Sequence, residues 1–81
     1  MHPQTIADVI QTALPGAQVH VEDTVGDGNH FQAVVIAAQF AGLTMIKQHR
    51  MVNDALKEYL DSGQLHALAL KTYTPDQWKP S

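Results

Sequence analysis

The hydrophobic period of this chain changes at each cluster of turn residues, and that succession restricts its fold more than any other feature. From Ile6 to Leu14 apolar residues recur three and four apart (Ile6, Val9, Ile10, Ala13, Leu14), the spacing of one helical face. His2-Pro3 opens this run, with Pro suited to a first helical position, and Pro15-Gly16 ends it. From Ala17 the period drops to two, Val19 and Val21 alternating with His20 and Glu22 as in a half-exposed strand. Thr24-Val25-Gly26-Asp27-Gly28-Asn29 is turn-rich. His30 to Ala38 is then a near-continuous apolar run holding Phe31, Val34, Val35 and Ile36, so the two strands close a β-hairpin across a short loop.

Phe40-Ala41-Gly42 breaks the pattern before a longer helix, which Thr44 is placed to cap. Met45, His49, Val52, Leu56 and Tyr59 form its predicted apolar stripe, broadened by Ile46, Ala55 and Leu60, and Gly63 is the expected left-handed stop. Leu65 to Tyr73 reads as a third strand with Leu68 and Leu70 on one parity. Thr74-Pro75-Asp76-Gln77 is a capping box that starts a short C-terminal helical segment carrying Trp78. The order is helix, strand, strand, helix, strand, short helix. Strand, long helix and strand make a right-handed crossover, and the economical packing is an α+β fold: a mixed three-stranded sheet with its helices on one face. Val9, Ile10, Val35, Val52, Leu56 and Leu68 are the expected core. One domain over residues 1–81 accounts for the pattern, with no repeat or linker.

Several function classes fall away on composition. The chain has no cysteine, which removes disulfides, thiolate metal sites and a Cys nucleophile. No apolar run approaches the roughly 18 residues of a membrane span, and the start lacks the basic residues of a signal peptide, so a cytoplasmic protein is expected. The net charge is −3, yet residues 1–46 contain no Lys or Arg, and all five bases (Lys47, Arg50, Lys57, Lys71, Lys79) lie beyond them. That is a weak positive bias in one half, short of the basic footprint of a dedicated nucleic-acid binder. No activated hydroxyl, paired catalytic carboxylates or phosphate loop is present. Gly26-x-Gly28 lacks the third glycine and following helix of a dinucleotide site. The chain reads as a non-enzyme.

His30-Phe31-Gln32-Ala33-Val34-Val35-Ile36, Phe40-Ala41-Gly42, Gln48-His49-Arg50-Met51-Val52 and His66-Ala67-Leu68-Ala69-Leu70-Lys71-Thr72-Tyr73-Thr74-Pro75-Asp76-Gln77-Trp78 resemble the BolA family in order and spacing. The likeness spans essentially the whole chain, the last segment is the most specific, and the short cysteine-free loop is most similar to a bacterial branch. The resemblance implies a KH-like fold of the second type, without the Gly-x-x-Gly loop of RNA-binding KH domains. It implies association with a monothiol glutaredoxin bearing a Cys-Gly-Phe-Ser site, as a heterodimer that is either apo or shares a [2Fe-2S] cluster. The glutaredoxin cysteine and glutathione would supply sulfur, and this chain the remaining ligands. No cofactor is expected on the isolated chain.

By that resemblance His66, at the head of the third strand, is a metal ligand. Taken alone, its parity with Leu68 and Leu70 would instead suit a hydrogen-bonded histidine at the core edge. The family's second ligand lies in the loop before the second strand, where the matching position falls near Asp27 or Gly28. His30, Asp27 and no loop ligand at all stay open, and His30 equally suits a structural strand residue. His49, on the apolar stripe, reads as a structural histidine. His20 and Glu22 read as exposed strand residues, and His2 as part of a mobile terminus. The alternative function is a DNA-binding transcriptional regulator, also ascribed to the family. Its surface, or a partner's, would use Lys47, Gln48, Arg50, Asn53 and Lys57, interrupted by Asp54 and Glu58, with Arg50 free to pair with Asp54 at i,i+4 instead.

Overall fold

A computed structural model describes residues 2–28, 30–65 and 67–78. The first helix, α1, runs Pro3–Ala13. His2 is its N-cap, the ring Nδ1 accepting from the Gln4 N–H at 3.1 Å, so this residue has a capping role in place of the mobile end expected of it. α1 buries Ile6, Ala7 and Ile10, with Leu14 just beyond, while Ala13 is exposed and Val9 is half-buried.

Strands β1 (Gln18–Asp23) and β2 (His30–Ile36) pair antiparallel, with Val19 opposite Val35 and Val21 opposite Ala33. β3 (Ala67–Tyr73) joins β2 in parallel, Phe31 opposite Leu68 and Val35 opposite Thr72, giving the order β1-β2-β3. The registers put Val19, Val21, Phe31, Ala33, Val35, Leu68, Leu70 and Thr72 on the helix-covered face. His20, Glu22, His30, Gln32, Ala69 and Lys71 share the open one. β2 ends two residues earlier than its apolar run: Ala38–Phe40 form a single 3-10 turn, which carries the Phe40 ring into the core, where it is fully buried.

The long helix is in fact two. α2 (Met45–Ala55) and α3 (Lys57–Asp61) meet at Leu56, whose N–H is shared between the Val52 and Asn53 carbonyls, both at 3.2 Å, a local tightening toward 3-10 geometry. Thr44 caps α2 as expected, accepting from the Lys47 N–H. The buried face is rotated from the predicted stripe. Met45 and Ile46 are 65% and 72% exposed, whereas Gln48 is only 7% exposed and lines up with Val52 and Leu56. Gln48 Nε2 donates to the carbonyls of Phe40 and Leu43 at 3.3 and 3.0 Å, and Oε1 accepts from Thr72 Oγ1 at 2.6 Å. A fully used amide can stand in the core where an unpaired one could not.

Gly63 takes φ +80° as the helix stop. Leu65 is still tied to α3, its N–H donating to the Tyr59 carbonyl, so β3 begins later than its apolar run. Thr74 and Gln77 form the reciprocal capping box, but among the described residues it closes a single turn and no longer helical segment. Trp78 packs on Tyr73 with ring centroids 5.2 Å apart. Ile10, Val35, Val52 and Leu56 are buried as expected, and Val9 and Leu68 are half-buried at the core's edge.

Candidate functional site

The β1–β2 loop is organised from the last residue of β1. Asp23 Oδ1 accepts from the backbone N–H groups of Val25 and Gly26 at 3.3 and 2.8 Å, and Oδ2 from Gly28 at 2.8 Å. Gly26 and Gly28 sit at φ +76° and +73°, left-handed values that a side chain resists. The Gly28 hydrogen bond does most to hold the Asp23 carboxyl below the usual aspartate range. Partial desolvation opposes it, the Gly26 and Val25 N–H groups reinforce it, and the Asp27 charge opposes it again.

This fold of the loop sets Asp27 against His30. Asp27 Oδ1 accepts the His30 N–H at 3.1 Å, and Oδ2 lies 2.8 Å from His30 Nδ1. Thr24 closes the other side, its N–H and hydroxyl both donating to the His30 carbonyl at 3.0 and 3.2 Å. A carboxylate only accepts, so this contact favours the tautomer protonated at Nδ1 and leaves the Nε2 lone pair to accept a hydrogen bond or to bind a metal. The His30 side chain is 53% exposed, so that nitrogen is reachable from outside. An imidazole that is oriented by a carboxylate and partly exposed can serve as a metal ligand through its free ring nitrogen.

His66 lies outside the described residues. The structure does place its chain neighbour Ala67, which pairs with His30 at the first step of the β2–β3 ladder. Asp27, the alternative loop ligand, is the partner of the His30 ring. His49 is half-buried on α2 beside Met45 and Leu70, His20 is exposed on β1, and His2 caps α1, so these three are dispersed over other elements. Among the described residues no group of three His, Cys, Asp or Glu side chains could hold a metal ion.

Lys47, Arg50, Asn53 and Lys57 are all exposed along α2 and the start of α3, and Arg50 makes no ion pair with Asp54; Gln48, grouped with them in sequence, faces the core. Sequence reasoning missed Asp23 as the loop's anchor. The signal was there: a short acidic side chain followed by glycines three and five residues on is an Asx-turn pattern.

The chain matches the sequence model of the BolA-like protein family over residues 5–77. It is 36% identical to the acid stress protein IbaG of Escherichia coli strain K12 over 78 residues, which is 96% of this chain and 89% of that one. Among solved structures, a bolA protein homologue from Coxiella burnetii is similar with TM-score 0.79 and 43% identity, covering 94% of both chains. BolA1 from Arabidopsis thaliana is similar with TM-score 0.83 and 30% identity, covering 95% of both.

Proposed function

Because this chain belongs to the BolA-like protein family, we propose that it is a non-enzymatic adaptor that binds a monothiol glutaredoxin and shares a [2Fe-2S] cluster with it. The observation that carries this reading is His30, held by Asp27 at both its backbone N–H and its ring, with the second ring nitrogen directed away from that carboxylate. Such a cluster takes four protein or thiol ligands, and a chain without cysteine must leave the thiolates to its partner and to glutathione. His66 and His30 are the nitrogen ligands in this reading. The cluster itself supplies one-electron chemistry and labile iron–ligand bonds, and neutral imidazole in place of thiolate raises its potential. The chain's own part is to orient the imidazole, and because only an unprotonated ring nitrogen can bind iron, the shared site is sensitive to acid. The name of the Escherichia coli relative, an acid stress protein, accords with that sensitivity.

The test is anaerobic mixing with a glutathione-loaded monothiol glutaredoxin, read by gel filtration, visible absorption and circular dichroism. A heterodimer is expected whose cluster spectrum differs from the glutaredoxin homodimer's. His66→Ala is expected to abolish that difference while the far-ultraviolet spectrum is unchanged. Absence of any complex, apo or cluster-bound, rules the adaptor out.

A second reading, a DNA-binding regulator, rests on the exposure of Lys47, Arg50 and Asn53 on α2 and Lys57 at the start of α3. Asp54 and Glu58 interrupt that surface, and with roughly three phosphate contacts log K falls with log salt at a slope of about −2.7. Tight sequence-selective binding near physiological salt would favour it over the adaptor.

A further inference from the structure

The two edges of the sheet are protected unequally. β1 carries Gln18, His20, Glu22 and Asp23, polar and charged side chains of the kind that discourage a further strand. From Ala67 to Tyr73, β3 carries one charge, Lys71, and among the described residues its only strand neighbour is β2. The Ala37 N–H donates to the Tyr73 carbonyl at 3.0 Å, so the backbone groups of Tyr73 face β2. The N–H and C=O of one parallel-strand residue point the same way and alternate along the strand, so Lys71 and Ala69 also face β2, while Leu68 and Leu70 turn theirs to the free edge.

The surroundings of that edge are apolar and positive. Leu68 and Leu70 are only half-buried on the helix-covered face. Leu70, Met45 and His49 line a surface depression of about 210 Å³ beside the strand. Met45, in its lining, is 65% exposed and Ile46, next to it in the chain, 72%, two of the three large apolar side chains that stand out among the described residues. No Asp or Glu occurs between Asp27 and Asp54, nor between Asp61 and Asp76, so α2's first turns and the whole of β3 bring bases alone, Arg50 and Lys71 among them.

We propose that the free edge of β3 docks an extended, acidic protein segment that joins the sheet as a fourth strand. Its backbone pairs with Leu68 and Leu70. Its alternate side chains divide between the two faces, apolar ones entering the depression by Met45, His49 and Leu70, and carboxylates meeting Lys71 on the open face. A second copy of this chain is the poorer occupant: antiparallel pairing of β3 with itself about Leu70 sets Lys71 diagonally against the other Lys71. This docking does not depend on iron.

The test uses the full chain and eight-residue blocked peptides in which Glu alternates with Val, Leu, Ile or Phe, followed by backbone NMR and amide exchange. Saturable binding is expected, with new protection at the Leu68 and Leu70 amides, weakening with added salt. Peptides with Lys in place of Glu are expected not to bind. Lys71→Glu, an exposed change, is expected to weaken binding about tenfold or more with the rest of the spectrum unaltered. Leu70→Pro removes an outward N–H without touching the β2 ladder, and where it folds it too is expected to abolish binding. The proposal is overturned if no peptide binds at millimolar concentration, or if Lys71→Glu leaves affinity unchanged. It is equally overturned if shifts map to α1 or the Asp23–His30 loop, if the same amides become protected by self-association alone, or if a single-stranded oligonucleotide occupies this edge in preference to the peptides.

Discussion

His30 differs from the other described histidines in having a carboxylate on its ring nitrogen and on its own backbone N–H. Asp27→Asn keeps an oxygen for the backbone but presents an NH2 or a poorer acceptor to the ring, so the Nδ1-protonated tautomer loses its stabilisation. Long-range proton–nitrogen NMR is expected to show the ring shifting toward the Nε2-protonated form, and the mixed cluster's circular dichroism to change with it. Gln48 is the second residue whose partners define it. Gln48→Leu fills similar space but strands the Thr72 hydroxyl and the Phe40 and Leu43 carbonyls, a loss of about 1–3 kcal/mol. Adding Thr72→Val is expected to recover part of that loss in urea denaturation, because it removes the orphaned hydroxyl.

At the scale of elements, the β1–β2 loop depends on one ionised side chain. The Asp23 carboxyl is held below its ordinary range by the Gly28 N–H first and by those of Gly26 and Val25 after it. The unfolded loop therefore takes up a proton at a higher pH than the folded one. The stabilisation is complete above the ordinary aspartate range and is lost as pH falls through the lowered folded value. Amide exchange at Gly26 and Gly28 is expected to stay slow through mild acid and to accelerate only below the usual aspartate range. Asp23→Asn is expected to speed it at neutral pH, since the amide retains one acceptor oxygen of the two in use. The α2–α3 junction shows a different dependence: Leu56 is fully buried, and the helix bends its hydrogen bonding there and continues.

For the whole molecule, one small core carries the fold, and it is mostly aliphatic: Ile6, Ile10, Val35, Val52, Leu56 and Leu65 with Phe31 and Phe40. A domain of this size holds on the order of 5–15 kcal/mol in total. Ile10→Ala, at a site with no exposure, removes about 2–5 kcal/mol by transfer and cavity terms together, and its thermal midpoint is expected to drop accordingly. No described helix is long and apolar enough to cross a membrane.

The order helix, strand, strand, helical region, strand, the hairpin, the parallel return of β3, the Thr44 and Thr74 caps and the glycine turns were legible in the sequence, whereas the break at Leu56 and the shortness of the last turn were not, because the former follow from local spacing or from one residue's backbone preference. The histidine of the loop was legible as a candidate, but its tie to Asp27 was not, since it exists only once Asp23 has folded the loop between them. The same holds for α2. Counting apolar residues selects Met45 and Ile46 for the core, and no local rule selects Gln48. Its burial is favourable only because Phe40, Leu43 and Thr72, one of them 24 residues away, deliver two acceptors and a donor to one amide. Periodicity reports which side chains avoid water. Which polar side chain can leave water is decided by partners that the tertiary fold alone brings within hydrogen-bonding distance.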